Sequence, residues 1–160
     1  MAPDDPTAEP GTTGGCLCGA IRFRLARRPT DVGHCHCRIC QKAHGAAVVT
    51  WATVPRADLT IDGPEPTWWR SSPAARRGRC PTCGTPLFFA FDADAAARRA
   101  GLPAGSAETM DLAVATFDEP DALEPTRNIW VGSRRAFLAG FDSRLPDHAD
   151  EGPDPAPPAT

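Results

Sequence analysis

Hydrophobic and polar positions alternate in short bursts along this chain and rarely form longer helical arcs. Residues 21–26, IRFRLA, alternate strictly, with Ile21, Phe23 and Leu25 on one side and Arg22 and Arg24 on the other. That period of two predicts a half-buried strand. Ala47 to Val54, Pro86 to Phe91, Met110 to Phe117 and Asn128 to Val131 are further strand candidates, rich in β-branched or aromatic residues and bounded by Gly, Pro or Asp. Two stretches read as helix: a turn or two around Cys37 to Ala43, and Ala93 to Ala100, an Ala/Arg segment stopped by Gly101 and Pro103. Gly101 to Ala107 reads as a loop. Residues 1–13 (MAPDDPTAEPGTT) and 149–160 (ADEGPDPAPPAT) are acidic, Pro-rich and nearly free of large apolar groups. They predict disordered tails around one domain at 14–148.

Composition strengthens the β reading. With 160 residues and 41% hydrophobic content the chain can build one core, and 18 Pro with 14 Gly favour many turns and short strands. No apolar run approaches the roughly 20 residues of a membrane helix. The acidic N-terminus lacks the basic-then-apolar pattern of a secretory signal, so a soluble cytoplasmic protein is expected. What composition leaves to be explained is seven cysteines, an odd number.

In a reducing compartment, clustered thiols are more often metal ligands or catalytic groups than disulfides. The spacing here is Cys16-x-Cys18, then Cys35-x-Cys37-x-x-Cys40, then Cys80-x-x-Cys83. Buried structural cysteines would instead be scattered singly. The first and last motifs both end in glycine, Gly19 and Gly84, and both lead into a strand. Glycine there allows a positive φ, which turns amides toward the thiolates. Each motif resembles one knuckle of a zinc ribbon, and together Cys16, Cys18, Cys80 and Cys83 supply the four thiolates of a closed tetrahedral Zn2+ site. Such a site would tie the first strand to the middle of the chain and contribute directly to folding.

The middle cluster has three thiols and no glycine after its last cysteine. Cys37 and Cys40 share a face if the segment is a helical turn. Three protein ligands are the pattern of catalytic zinc, so Cys35, Cys37 and Cys40 are expected to hold a second, looser Zn2+. A place for Cys40 near a helix start, beside Arg38 and Lys42, would favour its thiolate. Other readings stay open: His34, His36 or His44 as a fourth ligand, a Cys37–Cys40 redox disulfide, or one mixed site using all seven thiols.

The order of motifs resembles the glutathione-dependent formaldehyde-activating enzyme and centromere protein V family. The resemblance rests on Gly14-Gly15-Cys16-Leu17-Cys18-Gly19, on Cys35-His36-Cys37-Arg38-Ile39-Cys40-Gln41-Lys42, and on Arg76-Arg77-Gly78-Arg79-Cys80-Pro81-Thr82-Cys83-Gly84 running on to Phe89. Asn128-Ile129-Trp130-Val131 matches the family's late motif. The resemblance implies a zinc-bridged, two-sheet β-tent fold, with structural zinc on the outer motifs and catalytic zinc on the middle one. The segment 93–107 looks longer than the family's usual connection, and both tails lie outside the resemblance.

The implied activity is a carbon–sulfur lyase reaction that joins a small thiol such as glutathione to a small aldehyde such as formaldehyde, as in S-(hydroxymethyl)glutathione synthase. The thiol would reach zinc as thiolate, and His36 or water could protonate the alkoxide. Glutathione carries two carboxylates, which guanidinium groups bind in bidentate fashion. The stretch from Thr67 to Pro86 offers Arg70, Arg76, Arg77 and Arg79 with no acid. Arg76 and Arg77 are the candidate substrate ligands. Trp51, Trp68, Trp69 and Trp130 could wall the pocket or simply belong to the core. The alternative is a zinc-stapled, non-catalytic binding module for protein or nucleic acid. A net charge of −3 disfavours nucleic acid, and loading both thiolate sites with zinc moves it to about −6.

Overall fold

The alternation at 21–26 does make a strand, and its apolar face starts the core. In the computed structural model, which describes residues 9, 11–92 and 106–152, Ile21, Phe23 and Leu25 are buried. Strand β1 (Thr13–Gly15), β2 (Arg22–Leu25) and β5 (Leu59–Asp62) form a small antiparallel sheet in the order β1-β2-β5. The larger sheet contains β3 (Asp31–Cys35), β4 (Val49–Pro55), β6 (Thr67–Ser72), β7 (Ala75–Arg79), β8 (Pro86–Phe91), β9 (Thr109–Ala113) and β10 (Arg127–Ile129). Their order is β10-β3-β4-β9-β8-β7-β6, parallel only between β10 and β3. Helix α1 (Arg38–His44) follows β3. The architecture is mainly β with two sheets, as expected.

The small sheet packs on one face of the large one. Phe23 meets Phe88 and Phe117 edge-on, at 6.1 and 4.9 Å between ring centroids, within a core that includes Val32, Val54 and Leu112. Because side chains alternate along a strand, the neighbours of these residues point to the opposite face. There Cys35, Cys40, Val49, Trp51, Ala113 and Ile129 form a second cluster.

Several expectations change at element ends. Met110 to Phe117 is not one strand: β9 stops at Ala113, and Val114–Thr116 form a 3-10 turn closed by the Thr116 hydroxyl donating to the Ala113 carbonyl at 2.6 Å. β10 ends at Ile129 because Trp130 takes the left-handed conformation at φ 58. β1, β3, β5, β6 and β7 are not among the strands that alternation predicts. β6 is half open on both faces, so no period of two marks it. The expected helix at Ala93 to Ala100 and the loop residues 101–105 lie outside the described residues. The folded unit also crosses both limits set for it by composition. Thr12 is buried and Thr13 opens β1 at one end. At the other, the Trp130 amide donates to the Asp150 carbonyl at 3.2 Å. Among the described residues no helix is long and apolar enough to cross a membrane.

Candidate metal centres and the cavity

Cys16 and Cys18 sit in the connection between β1 and β2, and Cys80 and Cys83 in the one between β7 and β8. Each pair is thus carried by a different sheet, and the four sulfurs converge within 4.8 Å of one another. The two turns repeat the same hydrogen bonds. The Cys16 amide donates to Ile21 O and Gly19 to Cys16 O, while Cys80 donates to Thr85 O and Gly84 to Cys80 O, all at 2.9–3.0 Å. Gly19 at φ 75 and Gly84 at φ 76 take the left-handed conformation that the spacing predicted. The Ile21 amide then points at Cys16 Sγ at 3.2 Å. The Thr85 hydroxyl and amide hold the Cys83 thiol down at about 5.

The second cluster is built by the end of β3 and the start of α1. Cys35 closes the strand, Cys37 is the N-cap and Cys40 lies in the first turn. The Cys40 amide donates to Cys37 Sγ at 3.2 Å, Cys35 Sγ and Cys40 Sγ are 3.6 Å apart, and all three sulfurs lie within 4.8 Å of one another. It is Cys37, not Cys40 as expected, whose thiolate is favoured. Bonds from Cys35 and Cys40, the Cys40 amide and the nearby Arg77 charge hold Cys37 at about 3. The two neighbouring thiols contribute most, and the cap position adds the free helix amide. Gln41, buried, locks the segment by donating to His36 O at 2.7 Å and Ser133 O at 3.1 Å.

Both donor sets fit zinc. Tetrahedral Zn–S bonds of about 2.3 Å set sulfurs about 3.8 Å apart. Cys16 and Cys18 are at 3.5 Å and Cys18 and Cys80 at 3.9 Å, close to that value. The histidines are engaged elsewhere. His36 Nε2 pairs with Asn128 Oδ1 at 3.1 Å, His34 with Thr50 and Asp142, and His44 packs edge-on to Trp51. Among the described residues none joins the three-thiol group. Nor does His36 line the cavity described next, so it is misplaced to protonate anything there.

A cavity of about 430 Å³ opens beside the three thiols, on the face of the large sheet away from the main core. Its floor is a row across five strands, in which Asp31 faces Thr53, Thr53 faces Asp111, Asp111 faces Phe89 and Phe89 faces Arg77. Trp51 and Trp130 line it, whereas Trp68 and Trp69 do not. Strand alternation likewise separates the two candidate arginines. Arg77 is 5% exposed and donates from Nη2 to Cys40 Sγ at 3.3 Å, with its guanidinium 4.8 Å from the Phe89 ring centre. Among the described residues its Nε and Nη1 have no hydrogen-bond partner. Arg76 points the other way, over Trp68 and toward Asp92 at 3.7 Å, and is not among the residues that line this cavity.

The charged lining residues Asp31, Asp111, Arg127 and Glu151 escaped the sequence reading, as did Thr53. The only signal for Asp111 was an acid placed between Met110 and Leu112, and Glu151 lay in the supposed tail. Asp111 accepts from the Thr53 hydroxyl at 2.8 Å. Burial pushes its carboxyl up to about 7 against that bond, and the charges of Glu151 and Asp31 add to the rise. The folded protein therefore holds a proton that the unfolded chain releases near its ordinary value of 3.8. Stability falls as pH rises through that window and levels off above it. Asp111→Asn keeps an acceptor for Thr53 and removes this loss. Urea unfolding of the metal-loaded protein is expected to show the variant gaining about 2 kcal/mol on the parent between pH 5.5 and pH 8. A pH-independent difference would contradict the assignment.

A two-sheet β scaffold with one four-thiol and one three-thiol cluster, the latter facing a cavity, defines a mainly β protein whose two cysteine clusters could each hold a metal ion. The model of the family described as glutathione-dependent formaldehyde-activating enzyme matches residues 11–133, and the chain belongs to that family. The fold is similar to the crystal structure of a Rhodobacter sphaeroides protein solved by a structural genomics programme. The TM-score is 0.50 and the identity 18%, with 84% of this chain and 98% of that one covered. No curated protein matches the sequence.

Proposed function

We propose that the protein is a zinc-dependent carbon–sulfur lyase that joins a small thiol to a small aldehyde, with glutathione and formaldehyde as the reference pair. The observation that carries this reading is the contact between buried Arg77 and Cys40 at the wall of the cavity, where three thiols and no imidazole gather. A zinc ion held by Cys35, Cys37 and Cys40 supplies a Lewis-acidic seat that favours thiolate over thiol. Arg77 then meets the charge that develops on the aldehyde. As sulfur adds to the carbonyl carbon, a C–S bond forms and the C=O π pair moves to oxygen. The two unpartnered Arg77 N–H groups offer donors for that oxyanion. The proton lost by the thiol ends on the oxygen, giving a hemithioacetal, and the reverse is lysis. Phe89 and Trp51 flank the guanidinium and limit water around it.

Exchange NMR with 13C-labelled formaldehyde and glutathione tests this. The zinc-loaded protein is expected to speed S-hydroxymethylglutathione formation above the spontaneous rate, and Arg77→Ala to lower kcat/KM about 100-fold. Failure to exceed the spontaneous rate overturns the proposal.

A further inference from the structure

Glu151 lies beyond residue 133, where the family match ends, yet its side chain lines the same cavity as the three thiols. It is brought there by backbone pairing. Asn128 bridges to Asp147 in parallel, the Val131 amide donates to His148 O at 3.1 Å, and the Trp130 amide donates to Asp150 O. The Trp130 indole then donates to Glu151 Oε1 at 3.0 Å. Glu151 thus joins Asp111 and Asp31 in the cavity lining.

Of these three acids only Asp31 has a close cation, Arg127 Nη2 at 2.7 Å. Asp111 has a hydroxyl and Glu151 an indole N–H, and among the described residues neither is within ion-pair distance of a basic side chain. Arg127 acts on Glu151 only at longer range. The cost of gathering uncompensated carboxylates inside a protein is recovered when a cation enters. The cavity also holds the converse feature. Arg77, 5% exposed, has two N–H donors without acceptors. Arg77 and Asp111 occupy one cross-strand row two strands apart, about 10 Å between backbones. An anion seat beside the thiols and a cation seat across the floor suit a ligand carrying both charges.

Resting on the thiol-lyase reading above, we propose that Asp111 and Glu151 form a seat for a protonated amine, so that thiols bearing an ammonium group are the preferred substrates. The amine can belong to a free aminothiol or to the γ-glutamyl end of a glutathione-type peptide. Glu151 makes this preference a property of the chain's own C-terminal segment, outside the matched region.

Calorimetry on the zinc-loaded full chain at pH 8 tests it, using cysteamine against 2-mercaptoethanol, which differ in ammonium versus hydroxyl at equal length. The parent is expected to bind cysteamine at least tenfold more tightly, and both Glu151→Gln and Asp111→Asn to shrink that ratio severalfold. Comparing variants with parent removes the effect of the two thiols' different acidities. Affinity for 2-mercaptoethanol changes severalfold less than that for cysteamine. Glutathione against its deaminated analogue tells the two amine sources apart, since only a peptide site loses affinity there while handling cysteamine poorly. An equal ratio in parent and both variants, for cysteamine against 2-mercaptoethanol and for glutathione against its deaminated analogue alike, overturns the amine seat while leaving the thiol reading intact. Absence of binding by every thiol overturns the thiol reading and the seat with it.

Discussion

Cys80→Ser is expected to lower the Tm by about 10 °C or more and to release one tightly held metal per chain. The Cys80 side chain is 1% exposed and packs in the core between the sheets, alongside Cys16. Its sulfur belongs to the cluster that joins the β1–β2 turn to the β7–β8 turn, across more than sixty residues of chain. In the unfolded chain those turns are far apart, so metal affinity for the assembled set is folding free energy. Losing one of four thiolates costs several kcal/mol, and each kcal/mol shifts Tm by about 2–4 °C at this size. Thermal unfolding with metal analysis checks the result. A variant that keeps its metal and its Tm would show that the four-thiol cluster is not what braces the two sheets. A chelator strong enough to strip this site should destabilise the parent in the same way.

Cys37→Ser is expected to do the opposite: abolish activity, by about 1,000-fold or more, while shifting Tm by only a few degrees. Serine is a good N-cap, so its hydroxyl can take over the bond that Cys37 Sγ receives from the Cys40 amide. What it cannot replace is a soft thiolate ligand among three. The second, looser metal should therefore be lost while the first stays. Gln41 and its two backbone acceptors keep the segment in place. Metal content, Tm and rate measured on one preparation check all three parts. A large fall in Tm would mean that the triad is structural, and retention of full rate would remove it from the chemistry. The contrast with Cys80→Ser separates two thiol clusters that composition alone counts as seven equivalent residues.

Much of the site was legible because its signals are local. Cys-x-Cys-Gly and Cys-x-x-Cys-Gly carry their own turn geometry, and the positive φ of Gly19 and Gly84 follows from it. The helix at Cys37 to Ala43 was read nearly in register, since α1 spans Arg38–His44. One residue of error mattered, however. Cys37 is the N-cap and not the first helical residue, and the favoured thiolate is that of Cys37 in place of Cys40. Arg76 and Arg77 show a different limit. Both were visible as bases near a cysteine knuckle, and alternation guarantees that adjacent strand residues face opposite ways. Which of the two faces the thiols depends on how β7 lies against β8 and the end of β3, and that pairing is not local.

The acidic end of the cavity was not legible at all. Asp111 looks like a lone acid in an apolar strand, and Glu151 like one of many acids in a Pro-rich tail. They meet only because β9 pairs with β4 and the C-terminal segment pairs with the region around β10. By itself, the amino-acid sequence determined the two-by-two periods of the strands, the division of thiols into four and three, and the turns that aim them. Those properties are written in the spacing and glycine placement within each motif, among residues a few positions apart. Tertiary structure alone decided which arginine meets Cys40, which histidines stand aside, and which carboxylates share the cavity. These depend on strand order, and strand order is set by burying one face of each strand against distant partners, so no window along the chain contains it.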